Sequence, residues 1–101
     1  MEKRRPSYRL GEIKRAIGSA DSLSITRTAL QGAAEIGFDR ERIANTIQGI
    51  EQWMFYKSMT TFADHRVWQD VYHVPADGLT LYMKFQADVL TEFRLVSFKE
   101  K

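Results

Sequence analysis

Residues 79–85 read "LTLYMKF", and this stretch decides the fold. Leu79, Leu81, Met83 and Phe85 alternate strictly with Thr80, Tyr82 and Lys84. A period of two is that of a strand with one face in a core and the other facing water or a ligand. Segments 53–61 and 66–74 upstream and 91–99 downstream alternate less regularly, but all are rich in aromatic and β-branched residues. "ADH" (63–65) and "PADG" (75–78) read as turns between them, with Pro75 and Gly78 suited to the second. Four strands are predicted.

The first half has a different period. In "PSYRLGEIKRAIGSAD" (6–21), Leu10, Ile13 and Ile17 share one helical face, Ser7 is a candidate cap and Gly18 a candidate stop. "SITRTALQGAAEIGF" (24–38) predicts a short extended lead-in, a Thr26 cap, an apolar stripe of Ala29, Leu30, Ala33 and Ala34, and a stop at Gly37. Asp39 caps a third helix with Ile43, Ala44, Ile47 and Ile50 facing inward. The expectation is a single α+β domain over residues 1–101. Its sheet is mainly antiparallel, packed on one face by about three N-terminal helices. The first few residues read as an unattached basic tail.

Composition narrows the function classes. The 101 residues are 44% hydrophobic and 28% charged, as expected of a chain with one packed core. There is no cysteine, hence no disulfide, no thiolate zinc site and no cysteine nucleophile. No apolar run nears the ~20 residues of a membrane span, and the N-terminus lacks a signal-like apolar stretch, so a cytoplasmic location is expected. The net charge of +2 permits a nucleic-acid partner without requiring one. "GEIKRAIG" (11–18) lacks the P-loop pattern, so ATP chemistry is not expected.

A sheet covered by helices on one face leaves the other free. Lys57, Gln69, Tyr82 and Lys84 are the candidates to line it, although a solvated sheet face carries polar residues in any case. Lysine offers an ammonium to a phosphate, glutamine bonds a base edge or ribose hydroxyl, and tyrosine stacks or exchanges a proton. Such groups suit RNA cleavage in which the ribose 2′-OH attacks the adjacent phosphorus without a metal. Lys99 and Lys101 at the C-terminus offer further phosphate contacts. His65 reads as a turn residue able to approach a substrate as a proton donor, and His73 as a strand-end residue. Their spacing establishes no metal site. Trp53, Phe55, Tyr56, Phe62, Trp68 and Tyr72 read mostly as core, with one or two left for base stacking.

"FYKSMTTFADHRVWQDVY" (55–72), the terminal "LVSFKEK" (95–101) and the opening "MEKRRP" (1–6) resemble the MqsR family of bacterial toxins. The resemblance implies a RelE-like fold and the activity of an mRNA interferase of a type II toxin-antitoxin system. That activity is ribosome-independent cleavage of messenger RNA at GC-containing sites, with no cofactor, in a setting of biofilm formation and persistence. It implies an MqsA-like antitoxin as partner, with DNA contacted only indirectly through the toxin-antitoxin complex. The family's active residues fall on Lys57 in "FYKSM", Gln69 in "VWQDVY" and Tyr82 in "LTLYMK". Lys84, Lys99 and His65 are auxiliary RNA contacts, and no metal ligand is expected. The competing readings are a non-catalytic RNA- or antitoxin-binding domain and a DNA-binding regulator built on the helices between 26 and 49.

Overall fold

A computed structural model describes all of residues 1–101. Three helices, α1 (Leu10–Ile17), α2 (Arg27–Glu35) and α3 (Arg40–Gln48), precede a meander of β2 (Phe55–Thr60), β3 (Trp68–Ala76), β4 (Leu79–Asp88) and β5 (Glu92–Glu100). The expected α+β class holds. The sheet has five strands rather than four: Glu2–Lys3 forms β1, so the order is β1-β2-β3-β4-β5, with every pairing antiparallel. The opening residues are therefore not an unattached tail. Glu2 pairs with Met59 and Lys3 with Ser58, and the terminal ammonium donates to the Thr60 hydroxyl at 3.2 Å.

Asp70 explains how this arm is held. It is fully buried, and its carboxylate accepts from the Ser7 and Tyr8 backbone N–H groups at 3.0 Å. The Ser7 and Ser58 hydroxyls lie 2.7 Å apart, and the Tyr8 hydroxyl donates to the Trp68 carbonyl at 2.6 Å. Ser7 is thus not the cap of α1, which starts after Arg9 without a side-chain cap. The Thr26 and Asp39 caps form as expected, accepting from Ala29 N–H and Arg42 N–H. Gly37 ends α2 with φ +81°, a left-handed conformation that glycine adopts without a Cβ clash.

Ile13 and Ile17 of α1 and Ile43 and Ile47 of α3 bury against Tyr72, Val74, Leu81, Met83, Phe85, Leu95 and Phe98 of the sheet. Burial of apolar surface at about 25 cal/mol per Å² is what binds the two layers. On α2 only Ala29 and Ala33 are buried; Leu30 and Ala34, expected on the same stripe, are exposed. The helix lies so close to the sheet that a Cβ on Gly32 would sit 2.2 Å from the Phe98 carbonyl oxygen. The aromatic residues follow expectation only in part. Tyr72 is fully buried, whereas Trp53, Tyr56 and Phe62 are exposed.

Two β-bulges set which side chains reach the open face. Phe55 pairs with Tyr72 and Lys57 with Val71, so Tyr56 is an extra residue in β2. Likewise Lys84 pairs with Ser97 and Phe85 with Leu95, leaving Val96 extra in β5. A bulge breaks the strict alternation and re-aims the residues beside it, which is why the period in these two segments is weak.

Candidate functional site

The face away from the helices is built in cross-strand rows. One row runs Met59, Gln69, Gln86, Arg94; the next Lys57, Val71, Lys84, Ser97; the third His73, Tyr82, Lys99. The bulge at Tyr56 adds its ring to the third row, stacked on His73 at 4.2 Å between centroids and 22° between planes. All five candidate strand residues, Lys57, Gln69, Tyr82, Lys84 and Lys99, therefore share this face. Strands are about 4.8 Å apart, so long side chains from four of them converge over one patch. Val71 forms its floor: it points to the open face yet is fully buried, consistent with lysine stems covering apolar surface while their heads stay wet.

Charge is concentrated here. Lys84 Nζ and Lys99 Nζ lie 5.7 and 5.3 Å from the Tyr82 ring centroid, and Lys57 Nζ lies 5.4 Å from that of Tyr56. Lys57 alone among the three is paired, donating to Glu2 Oε2 at 2.9 Å. That bond raises the Lys57 pKa and lowers that of Glu2. Burial, with help from Lys99 and Lys57, pushes Lys84 below the usual lysine range. Burial also pushes the Tyr82 phenol up. Gln69 donates from Nε2 to Gln86 Oε1 at 2.8 Å, which orients both amides at the margin of the cationic patch.

His65 lies, as expected, in a turn of the β2–β3 connection, exposed and lining a shallow pocket with Met1, Glu2, Met59 and Phe62. One site differs from expectation. His73 is not a strand-end residue. It lies within β3, opposite Tyr82 and with its ring centroid 6.0 Å from that of Tyr82, in the third row of the patch. Burial first, then Lys101 and Lys57, lowers its pKa. The signal was present in the sequence: Gln69, Val71 and His73 are spaced by two, so any reading that put Gln69 on the open face implied His73 beside it.

As a chemical surface, the patch combines three ammonium groups, two phenols, an imidazole and two amides over an apolar floor. Cations bind phosphate oxygens, rings stack on bases, and amides bond base edges. No group of three or more His, Asp or Glu side chains is gathered to hold a metal ion.

The chain is similar to proteins of one known family. The family model described as "Motility quorum-sensing regulator, toxin of MqsA" matches residues 5–100. The protein named mRNA interferase toxin MqsR from Escherichia coli (strain K12) is 43% identical over 101 residues, covering the whole of both chains.

Proposed function

The chain belongs to the MqsR toxin family, and from that premise we propose that it is the toxin of a toxin-antitoxin pair, an endoribonuclease that cleaves messenger RNA and so arrests translation in the cytoplasm. The observation that carries the reading is the register that brings Lys57, Tyr82, Lys84 and Lys99 onto one open face over Val71. Cleavage proceeds by attack of the ribose 2′-oxygen on the adjacent phosphorus. Lys57 stabilises the charge that builds on the equatorial phosphate oxygens. Tyr82 contacts the phosphate, Lys84 and Lys99 add auxiliary phosphate contacts, and Gln69 orients the RNA through a base or ribose. Substrates are GC-containing sites, reached without the ribosome. An MqsA-like antitoxin is the partner, and DNA is contacted only through that complex.

Cleavage of a defined GC-containing RNA by the wild-type protein and Lys57→Ala, with EDTA present and product ends identified, tests this reading. Expected are 2′,3′-cyclic or 3′-phosphate ends from the wild type, and a loss of about 10²–10³-fold in the variant. Intact RNA with both proteins, together with measurable RNA binding, would favour a binding domain without chemistry. Equal cleavage by both would remove Lys57 from the site.

A further inference from the structure

Cleavage by 2′-OH attack needs a group that accepts a proton at neutral pH, and the lysines and tyrosines of the open face are poor acceptors. Unperturbed lysine and tyrosine titrate near pH ~10. The environment pushes Lys57 and Tyr82 higher still, and among Lys57, Tyr82 and Lys84 only Lys84 is lowered, which makes its ammonium the readiest proton donor. Resting on the ribonuclease reading above, we propose that the His73 imidazole is the base that takes the 2′-hydroxyl proton, and that the Lys84 ammonium protonates the departing 5′-oxygen.

Geometry supports each half. The His73 ring is fixed by its stack on Tyr56 and backed by Tyr82. None of the hydrogen bonds of the chain engages it, and the one buried side-chain polar atom without a partner is Tyr72 Oη. The imidazole nitrogens are therefore open to solvent and to a substrate. Lys84 faces the same patch and forms no ion pair, unlike Lys57. His73 pairs directly with Tyr82, two residues from Lys84 on the same strand. Such diagonal neighbours lie about 7–8 Å apart, which leaves room for a phosphoryl group between base and acid.

In the step itself the 2′-oxygen bonds to phosphorus while the bond from phosphorus to the 5′-oxygen breaks. The 2′-hydroxyl proton passes to His73, and a Lys84 proton passes to the 5′-oxygen. The products are a 2′,3′-cyclic phosphate and a 5′-hydroxyl, and exchange with water resets both residues. The groups facing His73 are Tyr56 and Lys57 of β2, Tyr82 of β4 and Lys101 at the C-terminus; Lys84 and Lys99 lie on the same sheet face, and Glu2 of β1 is bonded to Lys57. Burial and the nearby lysines favour the neutral imidazole, so the base is in its active form at neutral pH.

The test is the pH dependence of single-turnover cleavage of a GC-containing RNA from about pH 5 to about pH 9. The wild-type rate should rise with pH through a midpoint below the usual ~6.5 of histidine. His73→Gln should lose about 10²-fold in rate and lose that rise, while binding the same RNA carrying a 2′-O-methyl group at the scissile ribose as the wild type does. Replacing the 5′-oxygen by sulfur, a leaving group that needs no proton, should restore the rate of Lys84→Gln but not that of His73→Gln. A His73→Gln protein that cleaves at the wild-type rate with the wild-type profile overturns the assignment, as does one that loses binding and cleavage together. The wild-type profile needs no variant, and a flat one overturns the assignment regardless of how His73→Gln folds. A wild type inert toward RNA at every pH instead removes the ribonuclease reading itself.

Discussion

Lys57 Nζ lies 2.9 Å from Glu2 Oε2, with 18% of the lysine side chain exposed against 54% of the glutamate's. The cation proposed to meet the phosphate is thus tied to the first strand by an anion that an incoming phosphate must displace. Glu2→Gln should tighten RNA binding at low salt, and the gain should shrink as salt rises, because screening weakens exposed charges. Fluorescence anisotropy of a labelled RNA at two ionic strengths measures this. Weaker binding by the variant would mean that Glu2 helps to position Lys57 rather than competing for it.

The same pair sets a pH dependence of stability. Glu2 is held below its usual pKa, so its contribution is present above the ordinary carboxylate range and fades as pH falls through the lowered value. Lys57 is held above its usual pKa, so its contribution is present below the ordinary lysine range and fades as pH climbs through the raised one. With more than half of the glutamate side chain exposed, solvent screens the pair and it contributes little. Thermal melts of wild type and Glu2→Gln should separate slightly at neutral pH and converge only as pH falls below the ordinary carboxylate range, where the lowered Glu2 carboxylate is finally neutralised. A gap that widens in acid would contradict the assignment.

RNA affinity should fall with salt by an amount that counts phosphate contacts. Three cations, Lys57, Lys84 and Lys99, predict a slope of log K against log salt near −2, at about −0.7 per contact for a single strand. Lys99→Gln should bring the slope about 0.7 closer to zero. A slope unchanged by that substitution would place Lys99 outside the interface.

Asp70 is a different kind of polar residue from its neighbour Gln69. Asp70→Asn puts an amide where a buried carboxylate accepts from Ser7 and Tyr8 N–H groups. A loss of roughly 2–4 kcal/mol is expected in urea denaturation, because a buried charge-assisted set of bonds is weakened and N–H donors are left poorly satisfied. Hydrogen exchange should accelerate first at β1, whose path depends on that anchor. A variant as stable as the wild type would show that the arm is held mainly by its strand pairing.

Gly32→Ala should destabilise the fold by about 1–3 kcal/mol, since the new Cβ would meet the Phe98 carbonyl at 2.2 Å and force α2 away from β5. Because Lys99 follows Phe98, RNA binding should weaken along with stability. Unchanged melting would mean that the helix shifts without cost.

By itself the sequence determined the two periods, and with them three helices followed by a meander in which β4 puts Leu81, Met83 and Phe85 in the core and Tyr82 and Lys84 outside. It also determined the Thr26 and Asp39 caps and the Gly37 stop, because these depend on neighbours three or four residues away. Lys57, Gln69 and Tyr82 could be named from local motif and residue chemistry. Tertiary structure alone decided which of them meet. Alternation along a strand says nothing of register between strands, and a slip of one residue reverses every side chain. The bulges at Tyr56 and Val96 fix that register here, turning Tyr56 and Lys57 to the same face and bringing the Tyr56 ring onto His73. The N-terminal strand and the Asp70 anchor were illegible for a related reason: both join residues more than fifty positions apart. Such contacts are set by packing of the finished sheet and leave no periodic trace in the chain.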